Sequence, residues 1–414
     1  MLSESSNLGS NTNQIKLHNM RAVLLSLLHH EPAYRVEIAE ETLLSTTTIT
    51  NLIDELIEIG VVAEQGVEEF SGRRRVGRPR SALFLVKDAR YALGVQIGVE
   101  TYRIAIANLK AEILSHRHYS FSRTTPPAEI FKEITQKIKD LIAENNVDRQ
   151  RIIGIGVGAA GLVNYQTGIN LLSYNLGWEN VPIRDWLAET LNLPVVVDNN
   201  VKAMALGEAF FGEGRKVNSL VFVYGRAGVG SGIVIGNRLL RGADLGAGEI
   251  GHMILLANEG KKCRCGQIGC LETLVSEPAL LDQANEAALA HPDSALTALL
   301  KTDSGWPSDR LFTAARQGDL PALEIVERAS NYLGIALANL VNLLNPQMIV
   351  LGGLFAQGED LILPRTRQTL QKCAFAGLGE KVILKSTCFG WQAGMVGAAA
   401  LALTNLFYLN PEQI

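Results

Sequence analysis

Two stretches of this chain follow one plan, and that repetition limits the folds open to it. "YALGVQIGVETYRIAIANLKAEIL" (91–114) and "SLVFVYGRAGVGSGIVIGNRLLRG" (219–242) each read as strand, glycine-bearing turn, strand, turn, strand. Helical and strand segments follow each. The helix "NYLGIALANLVNLLN" leads into the strand of "LVNLLNPQMIVLGG", and "GWQAGMVGAAALAL" adds a closing helix. This alternation belongs to mixed α/β folds. It predicts a duplicated α/β domain with a cleft between its halves, and 414 residues are too many for one ordinary core.

The apolar share of 47% and charged share of 19% exclude a disordered chain. The opening "MLSESSNLGSNTNQIK" lacks the apolar centre of a secretory signal. "IIGIGVGAAGLV" and "AGMVGAAALALTNLFYL" fall short of the roughly 20 apolar residues of a spanning helix. They read as a buried strand and a buried helix, so no membrane partner is expected and the default compartment is the cytoplasm. Five cysteines are an odd number. Three of them crowd into Cys263, Cys265 and Cys270, which in a reducing compartment points to metal rather than disulfide.

The first ninety residues have a different character. "LHNMRAVLLSLLHH" places apolar residues at helical spacing, "RVEIAEETLL" is a second short helix, and "STTTITNLIDELIEIG" is a third. Ser45 or Thr46 can cap the third helix and Gly60 can end it. Ile49, Leu52, Ile53, Leu56 and Ile57 form its apolar stripe. Thr46, Thr47, Thr48, Thr50 and Asn51 open its other face as short, uncharged hydrogen-bonders able to approach base edges. By charge alone a plain three-helix bundle competes well, since residues 1–90 hold 12 acids against 10 Lys and Arg. "SGRRRVGRPR" (71–80) decides between them. It lies between "VVAEQGVEEF" and "SALFLV", two alternating segments of a β-hairpin wing, and carries Arg73, Arg74, Arg75, Arg78 and Arg80. Arginine suits the narrow minor groove, where negative potential concentrates. The expectation is a winged helix-turn-helix over residues 1–88 that binds double-stranded operator DNA.

The strongest local signal is "GEIGHMILLANEGKKCRCGQIGCLE" (248–272). His252, Cys263, Cys265 and Cys270 supply one nitrogen and three sulfurs, a set suited to tetrahedral, structural Zn²⁺ with no open position. The alternative is three unrelated buried thiols.

"GEIGH" followed by "CRCGQIGCLE", together with "NLGW", "LNPQMIVLGG" and "GMVGAA", closely resembles the signature of the ROK family of sugar kinases and sugar-responsive repressors. The resemblance spans about residues 90–405, and the N-terminal winged helix matches the repressor branch. It implies an α/β chain in which the winged helix precedes a duplicated actin-like (ribonuclease H-like), two-lobed ATPase-type fold. The first lobe would cover 89–198, closed by a C-terminal helix at 390–414. The second, 199–389, would carry the zinc loop and a sugar cleft. The resemblance also implies that Asn199, with Asn200 beside it, Glu249, His252 and Glu272 hold sugar hydroxyls. Carboxylates accept strongly from hydroxyls, and His252 can offer one ring nitrogen to zinc and the other to sugar. The competing role for Glu249 and Glu272 is structural support of the zinc loop.

Departures from the kinase pattern matter as much. Family kinases carry DxGGT in the first hairpin, whereas this chain has "QIGVET": Gln96 replaces the Asp, Val99 the second Gly and Glu100 the Thr. They also carry an Asn-Asp pair whose Asp is the general base. Here "VVDNNVKAMALGE" puts Asn200 at that position, and an amide cannot take up the proton. "GRAGVGSG" survives, but folding alone can require such a turn. The expectation is therefore a sugar-responsive transcriptional repressor without enzyme activity. As a helix-turn-helix protein it would act as a homodimer or dimer of dimers, with sugar mispositioning the two DNA heads. An active sugar kinase with a DNA-binding appendage, and a metal-responsive regulator, are the alternatives.

Overall fold

The computed structural model describes residues 12–66, 81–302 and 307–411. The first described segment forms three helices, α1 (Thr12–His29), α2 (Arg35–Thr42) and α3 (Thr46–Glu58), and two strands, β1 (Val62–Gly66) and β2 (Ser81–Leu85). Ser45 caps α3, its hydroxyl accepting from Thr48 N at 3.1 Å, and Ile49, Leu52, Ile53 and Leu56 are buried as the stripe predicts. β1 and β2 pair antiparallel from Val62↔Leu85 to Gly66↔Ser81, so the expected hairpin is present. Residues 67–80, with Arg73, Arg74, Arg75, Arg78 and Arg80, lie outside the described residues. Two acids of α3 are paired with cations: Asp54 with Arg35 (2.8 Å), which also bonds Glu64 of β1 (2.6 Å), and Glu55 with Lys16 (2.8 Å).

Two five-stranded sheets follow, and they share one order. In the first, β3 (Tyr91–Ile97), β4 (Thr101–Asn108) and β5 (Ile113–Ser120) form an antiparallel meander. β6 (Ile152–Ala159) and β10 (Val195–Asn199) add parallel strands beside β3. In the second, β11 (Ser219–Gly225), β12 (Val229–Ile235) and β13 (Arg238–Leu239) form the meander, with β14 (Met348–Gly353) and β15 (Ile383–Ser386) parallel beside β11. Between β6 and β10 lies a small antiparallel sheet of β7 (Leu162–Asn164), β8 (Ile169–Ser173) and β9 (Trp178–Val181).

Strands buried on both faces explain the near-continuous apolar runs. In the second sheet, Leu220 and Phe222 face helix α6 (Asn200–Phe211), while Val221 and Val223 face the long helix Leu320–Leu344. The first sheet is covered on one side by α4 (Pro127–Glu144) and α5 (Ile183–Leu191). Its other side takes the closing helix Ala393–Leu403, which packs on β3, β6 and α6. Glycine permits that packing: a Cβ at Gly156 would fall 1.9 Å from Ala398 O, and one at Gly397 would fall 2.6 Å from Met204 N. The closing helix is shorter than 390–414. It follows a 3₁₀ turn at Gly390–Gln392 and ends in a wider π-type turn at Thr404–Tyr408. Among the described residues no helix is long and apolar enough to cross a membrane.

Candidate functional site

The C-terminal edges of both sheets face one cavity of about 1370 Å³. Asn199, Asn200, Glu249, His252 and Glu272 all line it, although they come from separate elements. Asn199 ends β10 and caps α6. Its Oδ1 accepts from Val201 N (2.8 Å) and Lys202 N (3.2 Å), and its Nδ2 donates to Gly161 O (2.8 Å). That amide is largely committed to building the wall. Asn200 Oδ1 accepts from Val201 N at 2.9 Å, which leaves its Nδ2 for the cavity. Glu272 Oε2 accepts from Val229 N at 2.9 Å, fixing the second hairpin against the zinc loop. Glu249 has no hydrogen-bond or ion-pair partner among the described residues, so its carboxylate offers full acceptor capacity.

His252 and the three cysteines converge beside this wall. Their four ligand atoms lie within 4.8 Å of one another. Cys263 Sγ is 3.6 Å from His252 Nδ1, and Cys265 Sγ is 3.7 Å from Cys270 Sγ. With ordinary Zn–S and Zn–N bond lengths, the edges of a tetrahedron are about 3.6 Å (S···N) and about 3.8 Å (S···S). The donor set therefore fits zinc in both chemistry and spacing. Nδ1 faces the sulfurs, leaving Nε2 as the other ring nitrogen. The loop needs its glycines: at Gly269 (φ +76) a Cβ would fall 1.8 Å from Leu256 O. Burial pushes the Cys270 thiol up to about 12, so metal binding would have to displace its proton.

Several contacts in this region join residues far apart in the chain and carry no motif. Asp198 is buried, and Arg241 Nε (3.2 Å) and Nη2 (2.8 Å) both donate to its Oδ2 while Asn199 N donates to Oδ1. The same guanidinium lies 3.9 Å over the Tyr165 ring. Lys202 Nζ donates to Leu245 O, and burial lowers its pKa against the opposing pull of Asp198 and Glu249. Arg241 and Lys202 thus clamp the loop that ends in Glu249 onto the Asn199 wall. Arg264, inside the zinc loop, donates to Asn175 Oδ1 across the cleft.

At the other end of the cavity, Gln96 is buried and accepts from Arg103 Nη1 at 3.1 Å. Gln96 also fills the space above Gly394, at the start of the closing helix. Glu100 has positive φ (58°) and pairs with Arg123 at 3.2 Å.

On the α3 face, Thr46, Thr47, Thr50 and Asn51 are exposed and Thr48 partly so. Two of the five hydroxyl or amide groups are engaged within the helix: Thr48 Oγ1 meets Ser45 Oγ, and Thr50 Oγ1 donates to Thr46 O.

The sequence profile of the ROK family matches residues 92–405. The chain belongs to the ROK family. It is 30% identical to the xylose repressor of Caldicellulosiruptor bescii over 392 residues, 95% of this chain and 97% of that protein. A crystal structure of a ROK family transcriptional regulator, a homologue of the Escherichia coli MLC protein, superposes with a TM-score of 0.81. It is 28% identical and covers 95% of this chain and 97% of that one. A ROK glucokinase from Streptomyces griseus, solved with glucose and AMPPNP, is 30% identical with a TM-score of 0.65, but covers 76% of this chain and 99% of its own. The regulator-type relatives thus span the N-terminal helices and hairpin as well as the two-sheet body.

Proposed function

We propose that this protein is a sugar-responsive transcriptional repressor whose ROK body binds sugar without phosphorylating it. The observation that carries this reading is the near-complete coverage shared with regulator-type relatives, joined to an amide, Asn200, where a kinase needs a base. In this reading α1–α3 and the β1–β2 hairpin (residues 1–88) are a winged helix-turn-helix. Thr46, Thr47 and Asn51 at the start of α3 approach base edges, and Thr48 and Thr50 shape that end. The wing arginines Arg73, Arg74, Arg75, Arg78 and Arg80 supply phosphate or minor-groove contacts.

Sugar lies against Asn200, Glu249, His252 Nε2 and the free oxygen of Glu272. Asn199 mainly holds their backbone. His252, Cys263, Cys265 and Cys270 hold a structural Zn²⁺ that would fix the orientation of the His252 ring. The lobes at 89–198 and 199–389 close on the sugar, and a homodimer, or dimer of dimers, presents two heads to two half-sites. A repressor that acts on operator DNA would work in the cytoplasm.

The test is fluorescence anisotropy on DNA from upstream of the protein's own and adjacent genes, at fixed salt, with a sugar panel. Selective binding reversed by one sugar is the expected result. Binding indifferent to every sugar, or ATP turnover on a sugar, would overturn it. Replacing the five wing arginines with alanine should flatten the dependence of DNA affinity on salt. An unchanged slope would remove them from the interface.

A further inference from the structure

The turn between β8 and β9 forms part of the cavity wall, and the sugar reading leaves its most prominent side chain unused. Tyr174 lines the cavity yet is 70% exposed. Among the described residues it has no hydrogen-bond or ring partner. A large apolar residue exposed singly on a surface needs no explanation. Tyr174 differs in its support, its neighbours and the space before it.

Its backbone is held. Leu176 N (3.2 Å) and Gly177 N (2.8 Å) both donate to Ser173 O, closing the turn around Tyr174. Gly177 supplies the positive φ (69°) that the turn requires. Leu176 and Trp178 are buried and anchor the far side. The ring is thus displayed from a fixed base, and fixing its two side-chain torsions costs little entropy.

Its neighbours reach the groups assigned to sugar from both sides. A Cβ on Gly161 would fall 2.7 Å from Ser173 Cβ, and Gly161 O accepts from Asn199 Nδ2. On the other side, Asn175 is held by Arg264 of the zinc loop. A Cβ on Gly228 would lie 2.6 Å from Glu272 Oε2 and 3.9 Å from Asn175 Nδ2, so amide and carboxylate flank one glycine. Tyr174 therefore stands between the Asn199 wall and Glu272, and its exposure puts it on their solvent side.

There is room in front of it. The cavity, about 1370 Å³, exceeds the roughly 300–1,000 Å³ that drug-sized ligands occupy, and one sugar ring is smaller than most of those. A pyranose carries C–H groups on its faces and hydroxyls around its rim. Polarised C–H groups pack on the negative face of an aromatic ring, while the phenol hydroxyl can exchange hydrogen bonds with the rim. Carboxylates and amides deeper in the cleft suit the hydroxyls of a first ring. An aromatic ring at the entrance suits the face of a second.

We infer that Tyr174 is the platform for a second sugar ring, so that the effector is a disaccharide or longer oligosaccharide whose first ring lies against Asn200, Glu249 and Glu272. This rests on the sugar reading of the cleft.

The experiment is calorimetric titration of the full chain, free of DNA, with xylose and xylobiose, glucose and cellobiose, and N-acetylglucosamine and diacetylchitobiose. In one pair the disaccharide should bind about tenfold tighter than its monosaccharide. Tyr174→Ala should remove that gain while affinity for the monosaccharide moves less than twofold. Tyr174→Phe keeps the ring and should retain most of the gain. Because the side chain is exposed, both variants should melt at the temperature of the unaltered protein.

Disaccharides that bind no better than monosaccharides overturn the inference and leave the sugar reading standing. So does a gain that survives in Tyr174→Ala, since the second ring then lies elsewhere. If no sugar of either size binds, the sugar reading itself falls, and the inference with it.

Discussion

Asp198 is a charge that folding has removed from water. Its cost is offset by two hydrogen bonds from Arg241 to one oxygen and one from Asn199 N to the other. Arg241→Ala would leave that carboxylate buried and uncompensated. We expect it to lower unfolding free energy by about 3 kcal/mol, read from the denaturant midpoint. Asp198→Asn on the Arg241→Ala background should regain part of the loss, because a neutral amide tolerates burial better. A single variant with the original midpoint would show that the clamp is not closed in solution. At the zinc loop the stake is different. Cys265→Ser replaces one of three thiolates, and the expected outcome is loss of bound zinc with a lowered melting temperature. Full zinc content by elemental analysis in this variant would mean a different ligand set.

At the scale of elements, α6 links the two sheets and carries a buried acid. Glu208 takes hydrogen bonds from Thr387 Oγ1 and from Glu213 N (3.1 Å). Burial nevertheless raises its pKa above the ordinary carboxylate range. Between the unfolded and folded pKa values the native state then holds more protons than the unfolded one. This term is thus fully favourable below about pH 4.3 and is lost as pH rises through the folded value. Glu208→Gln should remove that fall and make the protein relatively more stable near neutrality. Denaturation series at several pH values would show it, and parallel pH profiles for the two proteins would contradict it.

The same helix shows what sequence could and could not reveal. His252, Cys263, Cys265 and Cys270 were legible because all four ligands sit in one short loop, where spacing alone dictates proximity. The two meanders and the β1–β2 hairpin were legible from alternation and turns. Asn199 lines the cavity, as expected of a sugar ligand, and an Asn before a helix is also a capping signal, which its Oδ1 fulfils on α6. The Asp198–Arg241 and Arg264–Asn175 contacts were not legible. Their partners are brought together by strand order across the cleft, and no local pattern encodes that.

For the whole molecule, the question is how a sugar in the cleft is felt at the DNA. α1 touches both halves of the body. Met20, Leu24 and Leu27 share a core with Leu109 and Ala111 of the β4–β5 turn, with Leu403 at the end of the closing helix and with Phe407 after it. Tyr408 Oη donates to Leu109 O at 2.6 Å, and Glu31 pairs with Lys110. Toward the second sheet, Leu25 and Leu28 pack against the core of Leu220, Phe222 and Leu239. His29 lies 6.5 Å from the Phe210 ring on α6, and Arg21 feels the charge of Arg238, the first residue of β13. Burial lowers the Arg21 pKa, and the like charge of Arg238 lowers it further. The head thus packs against both halves, with one like-charge pair on the second sheet's side, so a change in lobe arrangement alters its seating. Reversing one charge should convert that repulsion into attraction and bias the head toward one seating. The ratio of DNA affinities with and without sugar, typically set by a coupling of about 1–3 kcal/mol, should then shrink in Arg238→Glu and in Arg21→Glu. It should recover in the double variant, where two acids repel again, and all three effects should fade at high salt. Taking the ratio cancels any direct effect of Arg21 on DNA. If every variant keeps the original ratio, the coupling runs through the shared core of α1 and the closing helix instead.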